Sequence, residues 1–365
     1  TLRQLMSMGV SRTSLLWGKA LGVASAVLLV VVPCVALGAL VLTATGLETA
    51  GGGIGTRAAM IAVAYLAYAA IFLFLTLAVS AWARTARAAL MVLVGFWAFT
   101  AFIMPKTAVE ISRIAHPSPA FGTFMADMKA HQKRGIDGVS PFAKLGRYQR
   151  ELFRKYNVSR VEDMPVYWTA VRMQKLEELD QPVFEQHYGA VRDAYAAQQD
   201  TQDSLGVLAP TLPLRTISMT LAGTDLIQHN KFMADAEAFR RNMVARMNDY
   251  LSRAAANLNG VNSASNFMIA NEAVFAIVPP FTYEPPPLDA VVASQARNFA
   301  LLGGWLVAAI LLARLAAGQV AKNMIKAFFF DLAHKALGLK SRQLRLVACL
   351  GQIALGFVNC ANAGV

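Results

Sequence analysis

The chain has 365 residues, of which 56% are hydrophobic and only 15% charged, and it carries a formal net charge of +12. A soluble domain holds nearer about a quarter charged residues, so a soluble globular protein is excluded as a description of the whole. The charge also divides unevenly: Lys106 to Arg297 holds 21 Lys and Arg against 20 Asp and Glu, leaving 13 against 2 elsewhere. That excludes a basic nucleic-acid groove, where cations gather on a folded soluble face.

The chain opens "TLRQLMSMGVSRTSLLWGKALG", with Arg3, Arg12 and Lys19 spread among apolar residues. Residues 1–19 read as a cytosolic, basic, amphipathic segment. The uncharged run that follows, from Lys19 to Glu48, is 28 residues long. A signal-peptide core spans about 7–15 residues, so this run is a membrane span instead, over about Ala20–Ala44. Two more runs follow, 26 residues between Arg57 and Arg84 and 18 between Arg87 and Lys106. A helix needs about 20 apolar residues to cross the hydrocarbon core. These runs predict spans over about Ala58–Ala81 and Ala88–Met104, with Pro105 ending the third, so that residues 20–105 hold three spans. A fourth, about Asn298–Ala313 within a block 298–318, has 16 uncharged residues between Arg297 and Arg314 and must borrow Val291 and Val292 upstream or let those arginines snorkel.

The clusters of basic residues next to the spans fall on one side. Arg3, Arg12, Lys19, Arg84, Arg87, Arg314, Lys322 and Lys326 all fall on the same face when the four spans alternate. By the positive-inside rule that face is cytosolic. Residues 106–297 then lie outside as a helical, nearly neutral domain. In it Phe142, Leu145, Tyr148, Leu152 and Tyr156 form one apolar seam. A long helix follows, kinked or broken at Pro182. Leu226, Met233, Ala236, Met243, Met247 and Tyr250 form a second seam, with Glu237–Arg241 and Asp249–Arg253 as i,i+4 ion pairs. "VPPFTYEPPPLD" reads as a stiff connector back to the membrane.

Residues 319–365 begin a basic amphipathic stretch near Met324 and end in a charge-free run from Leu346. This predicts an interfacial helix and the start of a further span. One reading is the N-terminus and first span of a fused neighbouring membrane protein; the other is a fifth helix after a short interfacial helix. Thr1 reads as an incomplete N-terminus. The fold class expected is all-α: a polytopic helical membrane protein with a mainly helical extracytoplasmic domain between spans.

Motifs for chemistry are absent. Gly18-Lys19 is followed by Ala20, with no glycine five residues before Gly18, so there is no phosphate-binding loop. The five histidines are scattered and no H-E-x-x-H occurs. Asp225 and His229, at i,i+4, form a pair read as a structural hydrogen bond rather than as metal ligands. Cys34, Cys349 and Cys360 lie in apolar segments, as buried structural thiols. No charge lies inside a span, so no ion-coupling residue is visible.

Two stretches carry a resemblance. "TLRQLMSMGVSRTSLLWGKALG" is similar to the cytosolic connection of ABC-2 type transporter permeases. "LAPTLPLRTISMTLAGTDLIQHNKFMADAEAFRRNMVARMND" resembles the signature of a bacterial branch with a large periplasmic insertion, strongest at Leu221, Ala222, Gly223, Thr224 and Asp225 and again over Ala236–Arg241. His229, Glu237, Arg240 and Arg241 belong to this signature, and Gln228 stands where a second histidine often occurs. The resemblance implies a multi-pass permease subunit of the inner membrane, an exporter, with no cofactor of its own. ATP and Mg would be held by a separate cytosolic ABC ATPase, gripping the segment through Leu2, Arg3, Leu5, Met6, Val10, Ser11 and Arg12. A second permease copy or paralogue would complete the assembly within the lipid bilayer. The rival reading is a membrane-anchored periplasmic binding, sensing or scaffold protein without transport.

Overall fold

The structure, a computed structural model, describes residues 12–44, 53–83, 85–254, 262 and 272–337. Among them it is all α, with no strand. Four helical stretches are long and apolar enough to cross a membrane: Ala20–Gly38, Ile54–Trp82, Ala86–Ala115 and Ala296–Gly318. The protein is a multi-pass helical membrane protein. The chain divides into two compact units.

The first unit holds the described residues up to Met104, together with 207–214 and those from Arg297 onward. Helix α1 (Arg12–Ala44) carries Pro33 in its interior, α2 (Ile54–Trp82) starts at Gly53 in the left-handed region, and α3 (Ala86–Ala98) is capped by Thr85, whose hydroxyl accepts from the Ala88 amide. Apolar side chains cover every face of α1: Leu21, Leu29, Val30 and Leu40 are each more than 60% exposed in the chain. A helix apolar all round has no soluble face to offer, and lipid is its solvent. Inside the unit a run of rings ties helices together. Trp17 meets Phe74, Phe72 meets Phe96, and Phe96 meets Trp305 at 6.2 Å.

The third span departs from expectation at Pro105. The helix does not end there; it passes through a π-helical turn, Phe99–Ile103, and continues as α4 (Met104–Ala115). Widening the turn by one residue sends the Met104 amide to the Phe99 carbonyl, and proline then occupies a position where its missing N–H removes one bond without breaking the helix. The fourth span helix (Ala296–Leu337) likewise runs on past Gly318 without a break. Residues 319–337 therefore extend the span helix rather than forming a separate one. Residues 338–365, including the charge-free run from Leu346, lie outside the described residues.

The second unit comprises Pro105–Gly206 and Arg215–Ala296. Its spine is α7 (Trp168–Ser204), a single 37-residue helix, roughly 55 Å long at 1.5 Å per residue. Pro182 lies inside it and does not break it. The neighbouring Val183 is buried against Phe124 and Met128, so packing offsets the lost backbone bond. Three helices lie along this spine: α5 (Phe121–Arg134), α6 (Pro141–Tyr156) and α9 (Leu226–Ala254). Helix α5 stops at Gly135 (φ 74°), where a Cβ would sit 2.2 Å from the Val139 carbonyl oxygen; only glycine fits. On α6 the buried line is Pro141, Leu145 and Leu152, whereas Phe142 is 76% exposed. Proline at the first helical position takes the inward place, and Phe142 points away. On α9, Met233 and Tyr250 also fall off the predicted seam and are exposed, while the polar Gln228 and Asn248 are buried. Hydrogen bonding explains the swap: Asn248 donates to Gln174 of the spine at 3.2 Å.

The start of the spine is anchored from far along the chain. The Asn262 side chain accepts from the Trp168 amide at 2.8 Å and donates to the Met164 and Val166 carbonyls. The Pro-rich segment is irregular over 279–287, as expected. It lies against α9 through rings, with Phe281 meeting Phe232 and Phe239, and Tyr283 meeting Phe232.

Candidate functional site

The "LAGTD" signature forms a corner between α8 (Thr211–Leu221) and α9. Helix α8 ends in a Schellman turn: the Thr224 amide returns to the Met219 carbonyl at 2.9 Å and the Gly223 amide to Thr220 at 3.2 Å. Gly223 supplies the required left-handed backbone, φ 77°. Leu221 is buried beneath the turn, Ala222 and Thr224 are exposed, and the Thr224 hydroxyl donates to the Met219 carbonyl. Asp225 then caps α9, its Oδ1 accepting from the Gln228 amide at 3.3 Å.

The carboxylate of Asp225 is fully engaged. Its Oδ2 accepts from the Thr220 hydroxyl and its Oδ1 from the Gln228 side chain at 2.9 Å, while the Gln228 Nε2 also donates to the Thr220 carbonyl at 2.6 Å. All three residues are buried. His229 is exposed, one position round the helix. The expected Asp225–His229 pair is therefore corrected. Gln228 holds the inward place and takes the carboxylate, because the third residue of a helix faces its cap and the fourth does not.

Further along α9, Glu237, Arg240 and Arg241 clamp the helix onto the spine. Arg240 forks onto Glu237, both bonds at 2.8 Å, and pairs with Glu177 of α7. Arg241 reaches Glu185 of α7 at 2.9 Å and Glu237 at 3.6 Å. The hydrogen bond from Arg240, with the charges of Arg240 and Arg241, holds the Glu237 carboxyl below the usual range. Gln181 and then Arg241 do the same for Glu185. The Arg240 guanidinium is raised above its ordinary value by Glu237 and Glu177. Beside them, burial and the charge of Glu177 push Asp180 up. The predicted Glu237–Arg241 and Asp249–Arg253 pairs are both present, the latter at 2.9 Å.

Residues 141–283 match the family model of a domain of unknown function, DUF3526. That stretch runs from the first residue of α6 to Tyr283 and contains the spine, the corner and the clamp. It covers less than half of the chain. No curated protein and no solved structure matches.

Two clusters in the same unit escaped the sequence reading. His131 of α5 and His187 of α7 face each other, Nδ1 to Nε2, at 2.8 Å. Their ring centroids are 5.0 Å apart, so the rings meet nearly head-on and share a hydrogen bond, leaving no room for a cation between them. Among the described residues no group of three metal-ligating side chains occurs. The second cluster is a polar seam on the last turns of α7. Gln198 donates to the His116 carbonyl, Gln202 to the Ser112 hydroxyl, and Asp203 accepts from Gln199 and Thr216 at 2.9 Å.

Of the coupling candidates, Leu2, Arg3, Leu5, Met6, Val10 and Ser11 lie outside the described residues, and Arg12 is the first residue of α1. The corner and the clamp, by contrast, are brought together as one continuous structural brace. Their chemistry is capping and charge pairing, with the carboxylates of Asp225, Glu237, Glu177 and Glu185 all partnered.

Proposed function

We propose that the protein is the membrane-spanning permease subunit of an ATP-driven ABC-2 type transporter, acting as an exporter and coupled to a separate cytosolic ATPase. The observation that carries this reading is the opening segment, Thr1 to Gly22. It resembles the family's cytosolic connection and feeds directly into a helix that starts at Arg12 and enters the first candidate span at Ala20. The large second unit supports it as well, because the branch signature falls on its corner and clamp. The sequence shows no phosphate-binding loop, and the long uncharged runs offer no ion-coupling residue, so in this reading the energy comes from a partner. ATP-driven closure of that partner would favour one permease state through differential contact with Leu2, Arg3, Leu5, Met6, Val10, Ser11 and Arg12. The bacterial inner membrane, with the opening segment cytosolic and the second unit periplasmic, follows from the same reading and from the charge layout.

The test is a reconstituted complex of the chain with the ATPase that co-purifies with it. Arg3→Glu combined with Arg12→Glu is expected to abolish stimulation of ATP hydrolysis while the permease stays folded. Undiminished stimulation would refute the coupling role, and failure of any ATPase to co-purify would favour an anchored binding or scaffold protein.

A further inference from the structure

The π turn in the third span leaves one backbone carbonyl without a donor. Because the Met104 amide bonds to Phe99, the Thr100 carbonyl would next be met by the amide of residue 105. That residue is proline and has no N–H. The Thr211 hydroxyl fills the gap, donating to the Thr100 carbonyl at 2.5 Å. Thr100 is completely buried, so water cannot serve instead, and an unmet carbonyl there carries its full desolvation cost.

The depth of this bond decides where residues 207–214 lie. The third span has no charge between Arg87 and Lys106. Thr100 stands six residues before Lys106, about 9 Å along the helix at 1.5 Å per residue, in a hydrocarbon layer about 30 Å thick. A side chain as short as threonine's must sit at that same depth to reach it. The segment fits this setting. It carries no charge between Asp203 and Arg215. Ala209, Leu212 and Leu214 are buried, as are Pro210 and Pro213, which bring no amide hydrogen to satisfy. The exposed positions are Val207 at 60% and Leu208 at 50%, both apolar. Non-helical backbone survives at membrane depth only where protein covers it, and the irregular residues Ala209 and Pro210 are buried.

We infer that Thr211 stands in for the amide hydrogen that Pro105 lacks, and so pins residues 207–214 inside the hydrocarbon layer, with Val207 and Leu208 against lipid acyl chains. The inference rests on the candidate spans alone and is independent of the transport reading.

Two measurements on the full-length chain in phosphatidylcholine vesicles test it. With the three native cysteines replaced by alanine, a bimane label at Leu208→Cys is expected to be quenched by nitroxide-bearing acyl chains and shielded from aqueous iodide. Iodide quenching without nitroxide quenching overturns the placement. In the second, Thr211→Val is expected to lower the unfolding midpoint, whereas Thr211→Ser, which keeps the hydroxyl, is not. Pro105→Ala returns an amide hydrogen, so adding Thr211→Val to it should cost far less than in the native chain. Equal cost in both backgrounds overturns the donor replacement. Should Thr211→Val alone fail to fold, recovery of folding by the added Pro105→Ala supports the pairing and continued failure overturns it.

Discussion

Asp225 and His229 are four residues apart, and the sequence offers them as a pair. The structure separates them: Asp225 turns in to Thr220 and Gln228, and His229 turns out. Asp225→Ala removes an N-cap, worth about 0.5–2 kcal/mol, and strands two buried donors in addition, so a loss of about 2–3 kcal/mol is expected. His229→Ala should stay within about 0.5 kcal/mol of the native chain, as surface changes do. Thermal unfolding in detergent would distinguish them; a large loss from His229→Ala alone would return that histidine to the candidate site. The corner was half legible in advance. Gly223 and Asp225 are turn and cap residues by type, but which side chain Asp225 holds depends on the register of α9, fixed only once α8 has stopped.

At the scale of the helix, the clamp joins α9 to α7 through residues about sixty positions apart. Glu237 and Glu185 have carboxyls held below the ordinary range. A depressed folded value means the stabilisation is present above the unfolded value, about 4.3 for glutamate, and is lost as the pH falls through the lower folded one. These side chains are partly exposed, so each pair contributes about 0.5–1 kcal/mol. The expected outcome is an unfolding midpoint that declines below about pH 4, with a shallower decline in Arg240→Met and Arg241→Met. Identical acid profiles in all three chains would remove the clamp from the balance. Periodicity made α9 and its i,i+4 pairs readable, since those partners lie on one helix. Glu177, Glu185 and the His131–His187 pair were not readable, because nothing local to a helix names its neighbour. Pro105 and Pro182 misled for a related reason: the rule that proline ends a helix is a backbone rule, and packing or a distant hydroxyl can override it.

Across the whole molecule, the long uncharged runs gave away the spans, because the cost of a charge in hydrocarbon leaves its mark on composition directly. All four helices begin or end beyond the runs, as Arg12–Ala44 and Ile54–Trp82 show, since a helix can continue where the oil stops. Sidedness belongs to this scale too. The proposed arrangement predicts that single cysteines at Ser14 and at Tyr195 are labelled by a membrane-impermeant maleimide from opposite sides of sealed vesicles. Labelling of both from one side would overturn the alternation of spans, and with it the cytosolic location of the opening segment.

Asn262 closes a loop in the literal sense. A single amide side chain, 94 positions downstream of the backbone group it accepts from, supplies the cap that Tyr167 does not provide. The folded middle of the protein is thus not finished when its last long helix is synthesised at Ala254. A fragment cut just after that helix would carry every helix of the spine assembly and still leave its longest member with a frayed beginning, so a stable excised form has to run past Asn262.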